Sequence, residues 1–178
     1  MALSKYATQI LTAGTLALGL APAAEAQNLN QRDIGEVDTV YRFMGANDSI
    51  KIVAFNDPEV EGVTCWLSRP ITGGLSGGLG IAEDKSDASI ACRQTGPIVV
   101  TGDLERDQDG EEVFNEKRSV WFKELHVSRF FDEAASTMVY LTWSDKLIDG
   151  SPKNSLSTVV AMPWLENDGT VKPAQLTR

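Results

Sequence analysis

Two cysteines set the strongest constraint on how this chain can fold. Cys65 and Cys92 are the only ones it has, and five glycines (Gly73, Gly74, Gly77, Gly78 and Gly80) lie between them. If bonded, the pair closes a loop of about 28 residues, which chain-entropy arithmetic values at roughly 3–4 kcal/mol. That is a large share of the net stability of an ordinary domain. The rival reading is a redox-active or metal-binding pair. Cys-x-x-Cys spacing is absent and His126 is the only histidine. In an exported protein, one disulfide is the simpler expectation.

The first 26 residues point to export. Lys5 supplies a positive start, Ile10 to Ala21 is a short apolar run, and Ala24-Glu25-Ala26 fits the small-x-small cleavage rule. The mature chain is expected to begin at Gln27. The apolar run is shorter than the roughly 20 residues a spanning helix needs. No later run approaches that length, so the mature chain is expected not to insert in a membrane. About 150 residues remain, enough for one core. The organisation expected is a signal peptide over 1–26, a single domain over 27–166 and a C-terminal tail over 167–178. Sixteen basic residues stand against 25 acidic ones. Lys5 and Glu25 cancel, so the mature chain keeps the net charge of −9. Such a balance argues against nucleic-acid binding, which needs basic patches to displace counterions.

The mature chain reads mainly as β, as an antiparallel sandwich or barrel-like domain with one or two short helices. An α+β arrangement is the alternative. Ser49 to Phe55 alternates, with Ile50, Ile52 and Ala54 on one face, and Asp57-Pro58 ends it. Val63 to Leu67 is a second strand, stopped by Arg69-Pro70. Ala88 to Arg93 is a third, stopped by Gly96-Pro97, and Ile98 to Thr101 a fourth. Leu125 to Phe131 and Met138 to Trp143 predict a hairpin turning at Asp132 to Thr137. Leu125, Val127 and Phe131 share one parity, and Val139, Leu141 and Trp143 share another. Ser157 to Met162 is the last strand, ended by Pro163. The pattern allows a short helix from Ala82 to Ala88. Gln27 to Thr39 is polar and ambiguous, and Trp164 and the tail after Asn167-Asp168-Gly169 read as peripheral.

Chemical motifs are few. The glycine segment is not followed by the Lys-Ser/Thr pair of a phosphate loop. Its glycines would still let backbone approach a ligand or a neighbouring segment closely, and Arg69 and Arg93 at its two ends could aim at an anion. Glu105 to Glu116 places Asp107, Asp109, Gly110 and Glu116 at calcium-loop positions. It puts Glu112 where that template wants an apolar residue, so it reads as an acidic turn. His126 alternates onto the polar face beside Ser128. No Gly-x-Ser-x-Gly elbow supports a Ser-His-Asp hydrolase. Ser144-Asp145-Lys146 and Ser151-Pro152-Lys153-Asn154 read as polar loops around a turn at Asp149-Gly150. A Ser–Lys nucleophile there would need a desolvated lysine.

These segments together resemble the CreA family of exported bacterial proteins. The similarity runs through Ile34 to Val40, Ala54 to Pro58, Gly62 to Cys65, Thr72-Gly73-Gly74, Gly77 to Asp84, Ser86 to Ala88, Cys92, Gly96 to Ile98, Ser144 to Lys146, Gly150 to Asn154 and Met162 to Trp164. The resemblance implies a periplasmic protein of Gram-negative bacteria. It carries no catalytic residues over, and both cysteines fit its pattern.

The resulting expectation is a periplasmic binding or interaction module that presents the stapled glycine loop. Its ligand would be an unknown small molecule or a periplasmic protein. The candidate binding residues are Arg69, Thr72, Gly73, Gly74, Gly77, Gly78, Arg93, Ser144, Asp145, Lys146, Ser151, Lys153 and Asn154. No catalytic residue, metal or cofactor is assigned. The alternative is a periplasmic hydrolase using Ser144 or Ser151 with a lysine.

Overall fold

A computed structural model describes residues 31–74, 87–102, 104, 109–117, 124–148 and 151–176. Two antiparallel meanders follow one another along the chain. The first sheet orders β1 (Gln31–Val40), β2 (Asp48–Asn56), β3 (Val60–Ile71) and β4 (Ser89–Val100) side by side. The second does the same with β5 (Glu111–Lys117), β6 (Glu124–Asp132), β7 (Thr137–Ile148) and β8 (Ser151–Val160). Among the described residues no helix is long and apolar enough to cross a membrane.

Alternation decides which side of each strand faces the core. In β2 and β3, Val53 opposes Leu67 and Phe55 opposes Cys65. All four are buried and belong to the one core cluster, which draws Phe114, Val127, Met138 and Val159 from the second sheet. Phe55 stacks on Phe114 with ring centroids 4.5 Å apart, so the two inner faces touch directly. Cys65 and Cys92 are direct cross-strand partners in β3 and β4. They form the disulfide, with Cα atoms 4.0 Å apart, and both are fully buried.

Beside β4 lies β8. The Cys92 amide donates to the Ser157 hydroxyl at 2.8 Å. The Gln94 side-chain amide donates to the Met162 carbonyl at 2.8 Å and accepts from the Met162 amide. Side chains thus stitch the seam between the two sheets.

Several expectations are corrected. Ile50, Ile52 and Ala54 do share a face, but it is the one opposite to Val53 and Phe55, and Ile50 is exposed. In β7 the buried parity is Met138, Tyr140, Thr142 and Ser144, while Val139, Leu141 and Trp143 take the outer face. Val139, Leu141 and Trp143 thus share a parity as expected, and the core takes the other one, polar groups included. Gly96-Pro97 does not stop the third strand. β4 continues to Val100, and an irregularity opposite Gly62 absorbs the interruption. Gly62 has φ +80°, and a Cβ on it would fall 2.2 Å from the Pro97 carbonyl oxygen. Arg69-Pro70 does not stop β3 either. Pro70 lies beyond the last β3–β4 pair, where β3 keeps a neighbour on one side only.

The ambiguous start is β1, and half of the supposed acidic turn is β5. The expected helix from Ala82 to Ala88 falls almost wholly outside the described residues. The tail carries two short strands of its own. β9 (Trp164–Leu165) and β10 (Val171–Lys172) form a small hairpin. Gln175 then bridges β4, donating to the Ile98 carbonyl and accepting from the Val100 amide. Ala174 and Leu176 pack on the core.

Candidate functional site

At one end of the inter-sheet space sits a buried ionic knot around Arg129. The Arg129 side chain is 2% exposed and that of Asp57 is 0% exposed. Nη1 donates to Asp57 Oδ1 at 2.5 Å, and Nη2 donates to Glu111 and, at 3.1 Å, to Glu59. Asp57 comes from the turn after β2, and its Oδ1 also accepts from the Glu59 and Val60 amides, which shapes that turn. Its Oδ2 accepts from the Tyr140 hydroxyl at 2.7 Å. Thr101, past the end of β4, donates through its amide to the Glu59 carbonyl at 2.8 Å.

The knot therefore ties both sheets together, and its charge balance is acidic. Burial pushes the Glu111 carboxyl up to about 7, against the pull of Arg129 and with help from neighbouring Glu59. Burial and Asp57 raise the Tyr140 hydroxyl. For Arg129, burial opposes the charge, but Asp57 and Glu111 outweigh it and the guanidinium is held more firmly protonated. A perturbed carboxyl often marks a reactive site. Here every oxygen of Asp57 is engaged, and the arrangement reads as a cross-sheet staple.

The opposite end holds Arg69, and this corrects its expected role. Arg69 opposes Lys51 on the inner face, is buried, and ion-pairs with Glu116 of β5. Its Nε and the Glu116 Oε2 have no hydrogen-bond partner among the described residues. Arg93 opposes Thr64 on the other face of the sheet and is exposed. The two arginines cannot converge on one anion.

The remaining expected site residues scatter. Thr72 follows β3 and is half-buried. Ser144 is buried on the inner face opposite Leu125. Asp145 and Lys146 lie in β7 and Ser151 begins β8, with side chains outside the described residues. Lys153 is half-exposed and paired with Asp87 at 2.7 Å, so it is not a desolvated amine. Asn154 is exposed opposite Trp143. His126 shares its face with Ser128, as alternation expects, and is buried there. It stacks on Trp143 at 4.2 Å and meets Glu112 at 2.5 Å.

Gly73 and Gly74 do explain themselves; Gly77 and Gly78 lie outside the described residues. The Gly73 amide donates to Asp48 Oδ1 at 2.8 Å, and the Gly74 amide to the Ala46 carbonyl at 2.7 Å. A Cβ on Gly73 would fall 2.1 Å from the Ala46 carbonyl oxygen. The glycines thus let this segment support the β1–β2 loop from below.

That loop is braced throughout. Arg42 makes a two-point pair with Asp48, and its amide donates to Asn47 Oδ1. Asn47 in turn donates to Asp38 of β1 at 2.8 Å. Gly45, at φ +87°, makes the reversal. The polar groups are spent under the loop, and the apolar ones point away. Tyr41 is 80% exposed, Phe43 92% and Met44 61%. Ile34, Val37 and Val40 of β1 extend the same exposed apolar run. The sequence reading missed both this surface and the Arg129 knot.

A family model described as CreA protein matches residues 34–164. Protein CreA of Escherichia coli strain K12 is 45% identical over 161 residues, covering 90% of this chain and 98% of that protein. Proteins of the same description from strains CFT073 and O157:H7 match to the same extent. No solved structure matches the chain.

Proposed function

The chain belongs to the CreA family, and from that premise we propose that it is a periplasmic interaction module, exported by cleavage after Ala26. Its contact surface is the β1–β2 loop together with β1. Gly73 and Gly74 serve as support for that loop. The observation that carries this reading is the braced display of Tyr41, Phe43 and Met44. Large contiguous apolar surfaces on a folded chain mark contact sites, and aromatic anchors dominate such contacts. Among the described candidates for a hydrolase, Ser144 is buried in the inner face and Lys153 is ion-paired, which lends that reading no support.

The test is site-specific photo-cross-linking in the protein's own cells, with the photoreactive residue at Phe43 or, as control, at Ala134 in the β6–β7 turn. A discrete adduct at Phe43 and none at Ala134 is expected. Equal adducts at both positions, or none at Phe43, would count against the reading. The amino terminus of the exported protein checks the address: Gln27 is expected, and an intact Met1 contradicts export by cleavage.

A further inference from the structure

Among the described residues β1 is the outer strand of the first sheet, with β2 as its one neighbour there. Its register against β2 is regular over Gln31–Asp33 and again over Gly35–Asp38, the second window lying between irregularities at Asp33/Gly35 and Asp38/Val40. Within that window the two faces differ. Gly35 and Val37 oppose Ile52 and Ile50 on the outer face. Glu36 and Asp38 oppose Lys51 and Ser49 on the face that carries Val53 and Phe55. Asp33 has Lys51 as its cation at 2.9 Å. Glu36 accepts from the Ser49 hydroxyl and Asp38 from Asn47, and neither has a cationic partner among the described residues.

This pattern selects the occupant of the edge. An antiparallel second copy that matches face to face must centre on Val37 or on Glu36. The first register sets Glu36 against Asp38 twice, and the second sets Glu36 against Glu36. Like charges directly opposite destabilise strand pairing. A strand from elsewhere that carries Lys or Arg opposite the two carboxylates meets no such conflict. Apolar residues on its other parity would cover Val37 and fill the space above Gly35, where an added Cβ meets nothing within 4 Å. The chain's charge of −9 favours approach of a basic partner as well.

We propose that β1 accepts an extended segment of another protein, alternating basic and apolar residues, as a fifth strand of the first sheet. The inference rests on the interaction reading above and adds the chemistry of the partner. Main-chain hydrogen bonds would supply the pairing and the alternate side chains the selectivity.

The probe is an eight-residue peptide of alternating lysine and valine, titrated onto the purified protein by fluorescence anisotropy and amide exchange. Saturable binding with slowed exchange at Gly35–Asp38 is expected. Binding should weaken at least tenfold for a peptide N-methylated on alternate amides, for a glutamate–valine peptide, and for Val37→Lys. Val37 is 65% exposed, so that variant keeps the fold, which its melting curve verifies. Absent binding would overturn the inference, as would binding indifferent to N-methylation or to Val37→Lys. In the first case β1 is a protected edge; in the second the attraction is charge alone. If the peptide fails while the Phe43 adduct forms, this inference falls and the interaction reading stands. If both fail, both fall.

Discussion

The Arg129 knot and the β1–β2 loop solve opposite problems with the same means. At Arg129, polar groups from both sheets are gathered inside and pair until little is left over. At the loop, the Arg42–Asp48 and Asn47–Asp38 contacts gather underneath, and Tyr41, Phe43 and Met44 are left facing water. The first arrangement serves the fold. The second costs apolar exposure and returns nothing to the fold, which is why it reads as a surface for something else. Another inter-sheet pair, Arg69 with Glu116, stands between them: buried like the knot but with two polar atoms unsatisfied among the described residues.

The comparison breaks most sharply at Arg129. Arg129→Met strands the Asp57 carboxylate in the core and should cost about 3–5 kcal/mol, read as a fall in the urea midpoint. An effect below about 1 kcal/mol would mean that the knot is not the staple described here. Removing the disulfide with Cys65→Ala and Cys92→Ala should cost somewhat less, about 3–4 kcal/mol by the same titration.

A smaller effect comes from Glu111, whose folded-state carboxyl sits at about 7, above its ordinary 4.5. A raised carboxyl holds its proton more tightly when folded. Its contribution is therefore complete below about 4.5 and lost as pH rises through about 7. Stability should decline between about pH 4.5 and 7 by about 1–2 kcal/mol, a discounted figure because Glu111 remains a quarter exposed. Glu111→Gln should flatten that slope, and an unchanged slope would remove the assignment. At the far end, Phe43→Ser should alter stability by less than about 0.5 kcal/mol, since it removes a side chain that touches mostly solvent.

The sequence carried the disulfide, β2 and the β6–β7 hairpin because each is a local signal: a unique cysteine pair, or alternation around a polar turn. It hid β5 because Glu111, Glu112 and Glu116 look like a turn until their partners, Arg129, His126 and Arg69, are known to lie on other strands. It hid the true face of β7 because both parities carry large residues and the core takes Tyr140, Thr142 and Ser144. One clue was available. Arg129 falls on the same parity as Leu125, Val127 and Phe131, and a charge on an apolar parity asks for a buried partner. The loop left its own trace in Tyr41-Arg42-Phe43-Met44-Gly45, large apolar residues beside a turn glycine.

Native mass spectrometry of the protein purified from its own cells, wild type beside Phe43→Ser, tests the central claim most directly. A second, different chain bound to the wild type and missing from an equally stable variant is the predicted result. A bare wild-type chain, or a complex that survives Phe43→Ser unchanged, would contradict the claim that this loop is the contact surface.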